Sequence, residues 1–208
     1  MSLTLRYMRN SDVPRVMDIE TASFTPSWGE HSFHFEIEQS RVSYMLVVTE
    51  TLQRPTQGLR RWWDSMRGVA DSQEEGEHVV SFGGLWHIED EGHISTIASH
   101  PQHRGKHYGE IALAAMVQQA IRLGAHYVVL EVRVSNTVAQ NLYHKYGFKT
   151  MTTKRGYYQN NKEDAYDMRL HFDEPGALDQ QARLYADLKA KIPFIDLYSC
   201  RPHPRLER

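Results

Sequence analysis

The chain has 208 residues, 40% hydrophobic and 24% charged, which suits one packed, decorated domain better than two independent ones or a disordered chain. Its 24 Lys plus Arg against 26 Asp plus Glu leave a formal charge of −2, which excludes a whole-chain electrostatic grip on nucleic acid. The single cysteine, Cys200, excludes an internal disulfide framework and a thiolate-rich metal cage. Met1 to Arg6 lacks the apolar core of a secretory signal, and no window reaches the ~20 apolar residues of a membrane span. A cytoplasmic protein with no membrane partner and no direct nucleic-acid partner is the expectation. Twelve histidines are more than usual.

Leu3 to Arg9 alternates apolar and polar residues as a strand does. Ser11 or Asp12 then caps a helix with Pro14 in its first turn and Val16, Ile19 and Ala22 on one face. A loop around Pro26 and Trp28 leads to a second amphipathic stretch with Phe33, Phe35 and Ile37, and Ser43 to Val48 reads as a buried strand. Residues 51–76 break the pattern with Pro55, Gly58, Gly68 and an acidic run from Asp71 to Glu75. They read as a surface insertion with a short helix over Leu59 to Met66. Val79 to Ile88 and His93 to Ser99 form a strand pair turning at Glu89 to Gly92.

Pro101 to Tyr108 is a loop feeding a helix that Gly124 closes. Tyr127 to Val134 is a buried strand, and Asn136 to Tyr146 a helix closed by Gly147. Strands follow near Lys149 to Thr153 and Ala165 to Phe172. A polar helix, Ala177 to Lys191, and a Pro- and Arg-containing tail complete the chain. Strands and helices alternate without a strict βαβ repeat, so the fold class is α/β (α+β): a mixed sheet flanked by helices. The expected division is a domain over 1–172, interrupted at 51–76, and a helical extension over 173–208.

Two segments carry chemistry. The first runs from Ser99 to Gly109, where a strand ends, a basic turn follows and a helix begins. Helix N-termini present unpaired N–H groups and a positive dipole end, which suit phosphate, and Arg104 and Lys106 add charge. An ordinary basic loop is the alternative. The second runs from Leu130 to Phe148. Glu131 is a carboxylate in a Val- and Leu-rich strand, where burial raises a pKa toward values useful for proton transfer. An exposed Glu131, or one paired with Arg133, is the alternative. On the helix, Val138, Leu142 and Tyr146 form a row that suits the core. Ala139 and Tyr143 form the next row, with room for a ligand beside the phenol or with the phenol simply packed.

Arg104-Gly105-Lys106-His107-Tyr108-Gly109 resembles the Arg/Gln-x-x-Gly-x-Gly/Ala pyrophosphate loop of the GCN5-related N-acetyltransferase (GNAT) superfamily. Its central glycine is replaced by His107. The helix start at this point favours helical φ/ψ for His107, the other reading being a strained residue at φ > 0. The Leu130 to Phe148 block is more specific. It is similar to Leu-Glu-Val-Arg-x-Ser-Asn-x-x-Ala-x-x-Leu-Tyr-x-x-x-Gly-Phe of the RimI-type, ribosomal-protein-alanine branch, and every fixed position is matched. Arg155-Gly156-Tyr157-Tyr158 also resembles that branch. The likeness spans roughly 3–50 and 77–172.

The resemblance implies a GNAT-like, mostly antiparallel sheet and transfer of acetyl from acetyl-CoA to a protein N-terminus, an alanine of a small-subunit ribosomal protein. It implies that Ile97, Ala98 and Ser99 pair with the pantetheine arm. Arg104, Gly105, Lys106, His107, Tyr108 and Gly109 would hold the diphosphate, and Asn136 would touch pantetheine. Glu131 becomes the general base and Tyr143 the acid. Trp28, Tyr157 and Tyr158 line the acceptor groove. Other amine acceptors, such as a polyamine or a lysine, and a catalytically silent CoA-binding module are the alternatives. The His31/His34 and His100/His103/His107 spacings match no zinc pattern, so no metal is expected. Arg60-Arg61-Trp62-Trp63 in the insertion reads as packing against its own domain rather than as a nucleic-acid or membrane contact.

Overall fold

The computed structural model describes residues 2–51, 76–200 and 203. The expected helix over 59–66 and the Arg60 to Trp63 patch lie outside the described residues. Strands β1 (Ser2–Tyr7), β2 (Ser43–Thr51), β3 (Glu77–Ile88), β4 (Glu91–Ser99), β5 (Tyr127–Arg133), β6 (Lys149–Tyr158), β7 (Glu163–His171) and β8 (Phe194–Asp196) form one sheet. Its order is β6-β7-β5-β4-β3-β2-β1-β8. Neighbours run antiparallel except β4 with β5 and β1 with β8, which are parallel. Helices α1 (Val13–Ser23), α2 (Glu30–Glu38), α3 (Tyr108–Arg122), α4 (Thr137–Lys145) and α5 (Ala177–Lys191) complete the described fold.

Period-two alternation divides the core between the two faces of the sheet. Leu46 and Val48 of β2 join Leu5, Leu85, Val128 and Leu130 beneath α3, which buries Ile111, Leu113, Met116 and Val117. Met45 and Val47, one residue out of phase, join Val79 and Phe82 beneath α1 and α2, which contribute Val13, Val16, Ile19 and Phe33. Of the phenylalanines in the amphipathic stretch, Phe33 is buried and Phe35 is 44% exposed.

Asp12 precedes α1 but does not cap it. Its carboxylate takes two bonds from Arg6, at 2.7 and 2.9 Å, and one from the Arg9 N–H at 2.8 Å. Arg6 also donates to Glu77 at 2.8 Å. This buried pair fixes how α1 leaves β1.

The tail expected after α5 contains a strand. β8 pairs with β1 from Leu3↔Phe194 to Leu5↔Asp196, and Leu197 N–H then donates to Leu5 O at 2.7 Å. Tyr198 is fully buried and its hydroxyl donates to Tyr44 O at 2.9 Å. Leu188 of α5, Phe194 and Tyr198 all belong to the α3 side of the core.

Candidate active site

The centre of the sheet opens where the chemistry is expected. β4 and β5 pair only from Glu91↔Tyr127 to His93↔Val129. Beyond that point β4 continues to Ser99 and β5 to Arg133 with no pairing between them. The backbone of Ile97, Ala98 and Ser99 therefore faces an opening on its β5 side, an edge able to bind an extended amide-bearing chain. Ser95 is an extra residue on β4, bulged between Ile94↔Leu85 and Thr96↔Gly84.

At the far end of β4 lies the basic loop. Gly105 has φ +79° and His107 φ +63°, ψ 12°, both left-handed. The helical conformation favoured for His107 is thus corrected. The chain turns sharply to enter α3, and the glycine-type geometry is kept although the glycine is not. His107 holds it through Nδ1, 2.8 Å from Glu110 Oε2. Glu110 is buried in the first turn of α3. Burial works to raise its pKa, but bonds from Lys145 and His107 outweigh that and hold it below the usual carboxylate value.

A Cβ on Gly109 would lie 3.2 Å from Ser99 Oγ, so helix and strand approach closely here and a larger residue would make the Ser99 side chain give way. Tyr108 points into the core and bonds Glu50 at 3.4 Å, which leaves its main chain for any ligand. Two left-handed turns, the first-turn amides of a 15-residue helix and the unpaired β4 edge together fit a diphosphate with an extended arm.

Glu131 lies just past the point where the strands part. Its carboxylate bonds His93 Nε2 at 2.9 Å and Lys154 Nζ. Lys154 also reaches Asp167, Glu131's partner across the β5–β7 ladder, at 3.2 Å. Burial alone would raise the Glu131 pKa, as expected from the sequence. The bonds from His93 and Lys154 reverse that and lower it to about 2. Arg133 does not pair with Glu131; it bonds Glu163 at 2.9 Å and stacks on Tyr158 at 3.7 Å.

His93, Lys154 and Asp167 were not singled out from the sequence. The register places His93 at the last β4–β5 pair, a position no local sequence signal marks. Around this cluster, Trp28 stacks on Trp86 at 6.2 Å, and Trp86 meets the His93 ring edge-on at 5.5 Å. Lys154 lies 5.7 Å above the ring of Tyr157, which is 43% exposed. Trp28, His93, Glu131 and Tyr157 thus form one polar-floored, aromatic-walled site.

Tyr143 belongs to the opposite face. It is buried with Leu130, Val132 and Phe148, whereas Glu131 projects from β5 the other way. Burial and the neighbouring Tyr158 push its phenol well above the usual value, so it stays protonated. The gap between β4 and β5 is where the two faces communicate. Asn136 caps α4, its Oδ1 accepting from Ala139 N–H at 3.2 Å. Val138, read as part of the buried row, is 81% exposed, because the first turn of α4 stands clear of the sheet. Among the described residues no three His, Cys, Asp or Glu side chains converge as a metal site would require.

The Acetyltransferase (GNAT) family model matches residues 13–148, and the chain belongs to that family. It is an N-acetyltransferase. It is 31% identical over 170 residues to a putative ribosomal protein bS18-alanine N-acetyltransferase of Bacillus subtilis, covering 82% of this chain and 96% of the relative. It is 34% identical over 169 residues to the ribosomal protein bS18-alanine N-acetyltransferase of Escherichia coli, covering 80% and 96%. The crystal structure of the Escherichia coli ribosomal-protein-S18-alanine N-acetyltransferase superposes with a TM-score of 0.63 at 23% identity, over 84% of this chain and 96% of that one, and so shares the fold.

Proposed function

We propose that this protein acetylates the α-amino group of a protein N-terminus in the cytoplasm, with an N-terminal alanine of a small-subunit ribosomal protein as the acceptor class. The carrying observation is the near full-length match to two bS18-alanine N-acetyltransferases. Acetyl-CoA supplies an activated thioester. Arg104, Lys106 and the amides of 105–109 hold its phosphates, and the open β4 edge aligns the pantetheine arm and offers N–H groups to the thioester oxygen. Trp28, Tyr157 and Tyr158 line the acceptor's path.

An α-amine with pKa about 7.7–8.0 is already partly neutral at cellular pH, unlike a lysine at about 10.4, so little base strength is needed. Glu131, at a pKa of about 2, is fully ionised but holds a proton poorly. An acceptor amine entering the site takes over a Glu131 oxygen from Lys154. That replaces a charged donor with a neutral one, so the carboxylate becomes a better acceptor as the amine arrives. Tyr143, kept protonated by burial, protonates the departing sulfur. A thiolate of pKa about 8.5 leaves readily, so Tyr143→Phe lowers kcat only about tenfold to a hundredfold, at or below the low end for acid catalysis. Single-turnover rates that match the parent enzyme's remove Tyr143 from the step.

The deciding assay offers acetyl-CoA with peptides differing in their first two residues, a lysine-bearing peptide with a blocked N-terminus, and spermidine. Alanine-first peptides are the expected best acceptors. Faster transfer to spermidine or to the blocked peptide overturns the reading.

A further inference from the structure

His107 ties the cofactor loop to a part of the chain that the family match, ending at residue 148, does not reach. Its Nδ1 faces Glu110 at 2.8 Å, and Lys191 Nζ stands 3.4 Å from its Nε2. One tautomer serves both contacts: the Nδ1 proton is donated to the carboxylate and Nε2 accepts from the ammonium. Glu110 takes further bonds from Lys145 and, at 3.3 Å, from the Tyr146 hydroxyl, so its charge is already balanced by a nearer cation.

Lys191, Arg104 and Lys106 form no ion pair among the described residues. Arg104 and Lys106 on the loop, with Lys191 beside His107, leave the entrance to α3 rich in positive charge that an anion would balance. Lys191 is also well placed. It is the last residue of α5, which is anchored on one side by buried Gln181, donating to Tyr146 O at 2.8 Å, and on the other by Leu188 and β8.

We propose that Lys191 is a phosphate-binding residue of the acetyl-CoA site, supplied by the C-terminal helix and positioned by His107. A glycine at 107 has no side chain with which to hold Lys191. Histidine accepts the left-handed backbone and gives α5 a hold on the loop. The inference rests on the acetyl-CoA reading above and assigns a role to the extension beyond residue 172. The shared chemistry is a phosphate, either in the diphosphate or at the 3′ position of the ribose.

Calorimetric titration of the full chain with CoA and with dephospho-CoA tests it. Lys191 is exposed, so Lys191→Met leaves the core intact. The expected loss of CoA affinity is about tenfold, the size of one charge-assisted hydrogen bond. Lys191→Arg keeps most of the affinity, and Lys189→Met, on the same helix, changes nothing. In a His107→Gly background the loss from Lys191→Met shrinks, because the lysine is no longer held. A loss that persists with dephospho-CoA places Lys191 on the diphosphate; one that vanishes places it on the 3′-phosphate. Affinities within twofold of the parent for both ligands overturn the proposal while leaving the acetyl-CoA reading intact. A parent protein that binds neither ligand overturns both.

Discussion

Glu131→Gln lowers the maximal rate of acetyl transfer by about 10²–10⁴-fold, the usual worth of a positioned proton-transfer group. The substitution keeps the shape of the side chain and removes its charge. The amides, turns and cations of the 104–109 loop are not touched, so acetyl-CoA binding by calorimetry stays at the parent value. Turnover within twofold of the parent removes Glu131 from the mechanism. The same variant reports on the charge cluster through pH. The native pKa of Glu131, about 2, lies below its ordinary 4.5. Its stabilising contribution is therefore complete above the ordinary value and is lost as pH falls from about 4.5 toward 2. Over that interval the parent should lose stability more steeply than Glu131→Gln in acid unfolding. Parallel acid limbs contradict the His93–Glu131–Lys154 arrangement.

Asp12→Ala destabilises the protein by about 3 kcal/mol, the low end for removing one member of a buried ion pair. Arg6 and Asp12 side chains are 7% and 8% exposed. The variant leaves a buried guanidinium with Glu77 as its one carboxylate partner and the Tyr7 carbonyl, and it frees the Arg9 N–H as well. Urea unfolding gives the number, and a loss below 1 kcal/mol contradicts it. The double variant Arg6→Met with Asp12→Leu should lose less than Asp12→Ala, since the charge it leaves unpaired, on Glu77, is 38% exposed rather than buried.

The elements of the fold were legible where their signals are local. The apolar face of α3, the strand from Tyr127 and the glycine-closed helices all follow from spacing within one segment. The strand-to-helix turn at 104–109 and the strand bearing Glu131 were legible for the same reason. What stayed hidden depends on distant partners. His93 and Lys154 are 38 and 23 residues from Glu131 in sequence, so burial suggested a raised pKa and the folded cluster lowers it. His107 masked a left-handed position because histidine does not announce positive φ as glycine does. Helical spacing put Val138 in a buried row without showing that the first turn of α4 overhangs the sheet. β8 has three residues and no periodicity to read; only its pairing with β1 makes it a strand.

The parting of β4 from β5 also bears on cohesion. The sheet is two ribbons, one of five strands and one of three, joined across its centre by three residue pairs at one end. A cofactor lying along the open β4 edge would act as a strut between the ribbons, satisfying backbone groups that the protein leaves to solvent. Its binding then counts toward holding the molecule together: a ligand at a hundred times its Kd adds about 2.7 kcal/mol to unfolding. The folded fraction of such an enzyme would rise and fall with the acetyl-CoA supply around it.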